Sequence, residues 1–228
     1  KIFIAALIAN VLQYSLTYSG LNLIDASAAV LLVQTEVPFG VLFAFFMLKE
    51  KPNLRSMIGI SIAFAGVYIL TGSPNLDGKI VGIGLTIIGS AVWALGQVLV
   101  KPLSKEINPL ALVAWLALFS GPILIIISSI LDGNTYENIK TASMNSWIIA
   151  IYLGFIMQPI TYGCFYYVLK NNPMYKVLPI VTMGIPLTGL LAAVFLLGEK
   201  PTVELFIGGL VILIGVVMIV LKTSKKSA

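Results

Sequence analysis

The chain has 228 residues, of which 59% are hydrophobic and only 10% charged; its net charge is +5 and its mean hydropathy +1.02. A soluble domain carries about a quarter charged residues, so this composition excludes a water-covered surface and makes a bilayer the solvent. Basic residues stand singly or in pairs between apolar runs, which excludes a nucleic-acid-binding stripe. A lone cysteine, Cys164, excludes an internal disulfide, and the absence of histidine removes the commonest metal ligand and acid–base group.

In chain order, eight apolar segments cover 2–20, 29–48, 54–71, 80–100, 109–131, 146–169, 176–197 and 203–221. Each is near the roughly 20 residues that span about 30 Å of hydrocarbon. Turn and charge signals separate them: GLNLIDAS, KEKPNLR, TGSPNLDGK, KPLSKEINP, LDGNTYENIKTASMN, KNNPMYK and GEKPT. Backbone polar groups must be satisfied inside lipid, and the segment lengths favour helices over strands. The prediction is all-α: a polytopic membrane bundle with eight transmembrane helices.

Polar residues inside these segments are the candidate site. Asn10, Gln13 and Thr17 share one face of the first segment, either as interhelical packing bonds or as the lining of a substrate cavity. Gln34 and Glu36 lie in LLVQTEVPFG, where Glu36 has no Lys or Arg within ten residues in sequence. Charge at that depth costs about 2.5–3.5 kcal/mol or more unless paired, hydrated or neutralised. Three readings stay open for Glu36: a cation from elsewhere, a permanently neutral packing role, or a watery cavity where it binds a proton or a substrate ammonium in turn. In the fourth segment Trp93 and Gln97 are i, i+4 neighbours beside Ser90 and Ala94. Gln158, Thr161, Tyr162 and Tyr166 are read along one side of 146–169, which Pro159 is expected to interrupt. Pro38, Pro122, Pro179 and Pro186 are tolerated kinks; Gly78, Gly82, Gly89, Gly208, Gly209 and Gly215 are read as close-packing positions.

Lysine and arginine divide unevenly between alternate loops. One side holds Lys1, Lys49, Lys51, Arg55, Lys101, Lys105, Lys170, Lys176, Lys222, Lys225 and Lys226; the other holds Lys79, Lys140 and Lys200. Eleven against three predicts that the first side, with both termini, is cytoplasmic in a multi-pass cell-membrane protein.

An internal repeat organises the chain. LKEKPNLRSMIGISIAFAGVYIL (48–70) returns as LGEKPTVELFIGGLVILIGVVMI (197–219), an offset of 149 residues. Glu50, Lys51, Pro52, Gly59 and Gly66 fall on Glu199, Lys200, Pro201, Gly208 and Gly215, and Tyr18 falls on Tyr167. The copies are five spans apart, an odd number, so they run in opposite directions through the membrane, an arrangement typical of transporters. Residues 1–71 form a partial first repeat of three helices and 80–222 a complete second repeat of five. Two further helices are therefore expected before Lys1, completing a ten-helix, 5+5 inverted repeat. Their absence is expected to leave the faces of Asn10 and Gln97 open to lipid.

The twice-present E-K-P loop with its I-G-x(6)-G helix resembles the EamA family of the drug/metabolite transporter superfamily. GSAVWALGQVLVKPLSK (89–105) resembles the opening helix of that family's second repeat. VLLVQTEVPFGVLFAFFMLKE (30–50) and YGCFYYVLKNNPMYKVLPIVTMGIPLTGLLAAVFLLGE (162–199) look most like bacterial exporters of cysteine and O-acetylserine. By that resemblance a second glutamine is expected after Gln34, where this chain has Glu36. The resemblance implies a secondary transporter of small metabolites, first of all an exporter of amino acids or their derivatives. Uptake or exchange of a nucleoside or an S-adenosylmethionine-like compound, or a non-transporting membrane protein, are the alternatives. Expected partners are a small-molecule substrate, the lipid bilayer, and a proton or counter-substrate. No HExxH, GxSxG, paired intramembrane Asp or ATP-binding loop is present, so neither an enzyme nor a cofactor is expected. The substrate-binding candidates are Glu36, Asn10, Gln13, Gln34, Trp93, Gln97, Gln158 and Tyr162.

Overall fold

The computed structural model describes residues 1–133, 135–182 and 184–220, and all regular structure among them is helical. We number the helices α1 (Ile2–Leu21), α2 (Ala26–Leu48), α3 (Leu54–Thr71), α4 (Ile80–Glu106), α5 (Pro109–Asp132), α6 (Thr135–Thr141), α7 (Met144–Asn171), α8 (Met174–Thr182), α9 (Gly184–Leu197) and α10 (Val203–Val220). Six of them, α1 to α5 and α7, are long and apolar enough to cross a membrane; α9 and α10 are apolar but shorter. The chain is therefore a polytopic helical membrane bundle. Helix α6 lies in a stretch read from sequence as a loop. Lys222, Lys225 and Lys226, counted above, lie outside the described residues, as does the side chain of Pro179.

The α3–α10 pair shares the most extensive interface, because glycines let the two backbones meet. A Cβ on Gly59 would lie 2.6 Å from the Gly215 carbonyl oxygen, and one on Gly66 2.6 Å from the Ile212 nitrogen. Reciprocally, Cβ atoms on Gly208 and Gly215 would strike the backbones of Leu70 and Ala63 at 2.7 and 2.5 Å. In lipid no hydrophobic drive separates helix from solvent, so such backbone contact and its dispersion energy carry the association. Helix α4 uses the same device against α1 and the turn after it at Gly82, Gly89 and Gly96, whose Cβ atoms would meet Leu23, Thr17 and Ala9. Gly78 differs: it adopts φ +71° with nothing near its missing Cβ, so it serves the turn before α4 rather than packing.

Helix α4 does not stop near residue 100. It continues through Pro102 to Glu106, which draws Lys101 into the bundle as a buried cation. Lys101 binds the Glu50 carboxylate and donates to the Asn172 carbonyl at 2.8 Å, while the other Glu50 oxygen accepts the Met174 amide at 2.7 Å. Before the other end of α4, Lys79 pairs with Asp25 at 3.0 Å. Close by, Glu199 accepts the backbone amides of Ala26 and Ser27, each at 2.9 Å. Lys79 and Lys101 are 22 residues apart, roughly 33 Å along a helix rising 1.5 Å per residue. The two clusters thus sit a bilayer's thickness apart.

Glu199 lies between α9 and α10, outside the spans. Burial disfavours its charge, but hydrogen bonds from the Ser27 side chain and the Ser27 and Ala26 amides, with Lys79 nearby, hold its carboxyl below its ordinary value of 4.5. A depressed carboxyl contributes stability above that ordinary value and loses it as pH falls through the folded one. Thermal stability should therefore fall progressively as pH drops below about 4.5, and Glu199→Gln should flatten that part of the profile. Parallel profiles for the two proteins would refute the cap.

Candidate functional site

Three helices change winding where they carry polar residues. In α1, Leu7–Leu12 form a π-helical turn directly before Gln13 and Tyr14. In α7, Tyr152–Met157 do the same directly before Gln158. In α2, Val33–Thr35 tighten into a 3₁₀ turn before Glu36. Pro38 supplies a cause there: it lacks the amide that would bond the Gln34 carbonyl. Such local rewinding re-aims side chains and is frequent at functional positions. Contrary to the expectation from sequence, Pro159 does not interrupt α7: the π turn precedes it and the helix runs on to Asn171.

These helices bring a polar and aromatic network together. Gln158 Nε2 donates to the Tyr14 hydroxyl at 2.9 Å, and Trp93 Nε1 donates to the Tyr162 hydroxyl at 3.3 Å. The Tyr14 and Tyr162 hydroxyls stand near each other, so the two pairs adjoin. Gln97, itself buried, stands beside Tyr166, and its Oε1 has no partner among the described residues. Phe165 packs against Trp93, Tyr162 and Tyr166, with ring centroids 5.4–6.2 Å apart. Through Tyr14 the network reaches a crevice of about 320 Å³ between α1 and α5, lined also by Ser15, Tyr18, Ser19 and Asn22. That volume lies at the small end of ligand pockets.

Glu36 interacts electrostatically with Tyr162. It is 5% exposed, and among the described residues no cation or hydrogen-bond donor meets its carboxylate. Lys101, the buried cation, is already engaged by Glu50. Gln34 is completely buried, and both its amide nitrogen and its amide oxygen lack partners. A buried polar group left unpaired costs about 1–3 kcal/mol, so these atoms suit a ligand that brings both donors and acceptors.

Other expectations are placed differently. Asn10 donates to Ser120 on α5 at 3.1 Å, and Gln13 donates to Thr17 at 3.0 Å against the Gly89 seam. Both side chains are thus engaged in packing bonds, although the Gln13 Oε1 stays unpartnered. Thr161 is exposed rather than aligned with Tyr162. The face of Gln97 is not open: Gln97 is 1% exposed, enclosed by α7; Asn10 is half-buried, bonded to Ser120 on α5. The bare surface is instead the first half of α7, where Met144–Met157 bury nothing. Tyr14 was not singled out in the sequence, although it stands four residues after Asn10, on the same helical face.

A profile of the EamA-like transporter family matches residues 1–72 and 80–221. The chain belongs to the EamA-like transporter family. Among EamA relatives, a probable amino-acid metabolite efflux pump of Escherichia coli K12 is 27% identical over 212 residues, covering 89% of this chain and 70% of that protein. One of the same description from Salmonella typhimurium is 28% identical, covering 83% and 66%. An uncharacterised transporter of Clostridium kluyveri is 25% identical, covering 90% and 65%. The chain thus spans about two thirds of the length of these relatives. A solved crystal structure superposes with a TM-score of 0.64 at 17% identity, covering 95% of this chain and 74% of its own, which places the fold alone.

Proposed function

We propose that this EamA chain is the core of a secondary carrier that exports amino acids or their derivatives across the cell membrane, with its lysine-rich face cytoplasmic. The observation that carries this reading is Glu36: a buried carboxylate without a cation among the described residues, near Tyr162, in a bundle of a transporter family. The site is Glu36 with Gln34, Trp93, Gln97, Gln158 and Tyr162; Asn10 and Gln13 support it from behind. Glu36 takes a substrate ammonium or a proton in alternation, and the amides of Gln34 and Gln97 meet the polar remainder of the substrate. The two efflux-pump relatives support the substrate class. The aromatic cluster of Trp93, Tyr162 and Phe165 favours a second substrate class, flat heterocycles such as nucleosides, by stacking.

In this reading residues 1–71 and 80–222 are two halves of an inverted repeat, and two further helices complete the first half against the bare face of α7. The 149-residue register and the reciprocal glycines of α3 and α10 support it. Counterflow in vesicles of the full-length protein tests the function. Amino-acid influx should saturate and be accelerated by unlabelled amino acid on the opposite side. Flux linear in concentration, without acceleration, would mark a channel and sink the carrier.

A further inference from the structure

The geometry points to Glu50 and Glu199 as a pair of opposed gate residues, each latching the membrane face at which it stands by holding the start of a helix from the other half of the chain. The inference rests on the carrier reading above. Three observations support it.

Each carboxylate is a helix cap supplied from far away in sequence. Glu199 accepts the amides of Ala26 and Ser27 at the start of α2, 2.9 Å each. Glu50 accepts the Met174 amide at the start of α8, 2.7 Å. The first four amides of a helix have no partner inside it, and a carboxylate also suits the positive end of the helix dipole. Second, the caps are exchanged: by the 149-residue register Glu50 corresponds to Glu199, and Asp25 and Ala26 correspond to Met174 and Tyr175. Neither half caps its own helix.

Third, both latches stand at the ends of α4, beside Lys79 and Lys101, and so at opposite faces of the bundle. At a membrane face, water can take over the amides when a cap lets go. Opening there costs the difference between a charge-assisted bond and hydration, not an orphaned group in lipid. A reversible gate needs that property. The latches are also unequal. Lys101 and Glu50 are 8% and 15% exposed in their side chains, against 34% for each of Lys79 and Asp25, and Lys101 additionally ties the Asn172 carbonyl. The lysine-rich face is therefore held more firmly.

The test uses full-length protein in oriented vesicles, with Cys164→Ser and a reporter at Ala94→Cys on α4, buried between the two latches. A membrane-impermeant maleimide is applied from each side without substrate. Glu50→Gln should raise labelling from the lysine-rich side relative to the other by roughly tenfold, the loss of one charge-assisted bond. Glu199→Gln should shift the ratio the opposite way. Shifts of the same sign, or none, overturn the gates. Should a glutamine variant fail to fold, Lys101→Gln and Lys79→Gln carry the same comparison with the same signs. Because labelling is read without substrate, a wrong substrate class leaves this result standing, and unopposed shifts alongside intact counterflow overturn the gates alone.

Discussion

Glu36→Gln in full-length protein is expected to abolish the pH dependence of transport and to weaken binding of amine substrates by roughly 10–100-fold, the value of one hydrogen bond to a charged group. The glutamine keeps the shape and hydrogen-bonding capacity of the side chain and removes only its charge. Folding should be preserved, since the carboxylate has no structural cation or donor to lose among the described residues. Substrate affinity by competition binding and transport against pH are the measurements. An unchanged affinity with an unchanged pH profile would make Glu36 a neutral packing residue.

The largest effect on stability is expected from Gly66→Val. Its Cβ would lie 2.6 Å from the Ile212 nitrogen and 2.8 Å from the Gly208 carbonyl, both backbone atoms, so no side chain can rotate away to admit it. Overpacking of this kind costs about 1–3 kcal/mol even where flexible side chains yield, and here α3 and α10 must separate. We expect a thermal midpoint lowered by several degrees or more in detergent, together with loss of folded yield. Gly84→Val, at a position where a Cβ meets nothing within 4 Å, is the matched control and should be nearly silent. Equal effects from the two substitutions would show that α3–α10 backbone contact is not what holds the pair.

The sequence made the helices legible because lipid leaves the backbone few choices: apolar length and turn residues placed most helix ends within a few residues. The exception was α4, whose lysine and proline near residue 101 resemble a loop when the chain is read in one dimension. Only the approach of Glu50 makes a buried Lys101 tolerable, and that partner is 51 residues away. The aromatic side of the candidate site was legible from Trp93, Gln97, Gln158 and Tyr162, whose polar edges lie in otherwise apolar helices. Tyr14 escaped notice because tyrosine also serves at membrane interfaces, and only the Gln158 bond separates those roles. Asn10 and Gln13 were equally conspicuous in the sequence: Thr17 follows Gln13 at helical spacing, whereas Ser120 reaches Asn10 only through the fold. The π turns in α1 and α7 left no mark in composition at all.

On the inverted-repeat reading proposed above, the exchanged caps bear on how such a chain could arise. A half-length ancestor carrying one E-K-P loop would have had a spare carboxylate at one end and an uncapped helix at the other. Alone, it could satisfy neither. Two identical copies inserted in opposite orientations would have cured both defects at once, each lending its glutamate to its neighbour. Duplication and fusion of the coding sequence would then have made that antiparallel dimer permanent, after which the two sites were free to diverge. Their present inequality, a buried lysine on Glu50 against amides and a more distant Lys79 on Glu199, is an asymmetry that two identical copies could not carry.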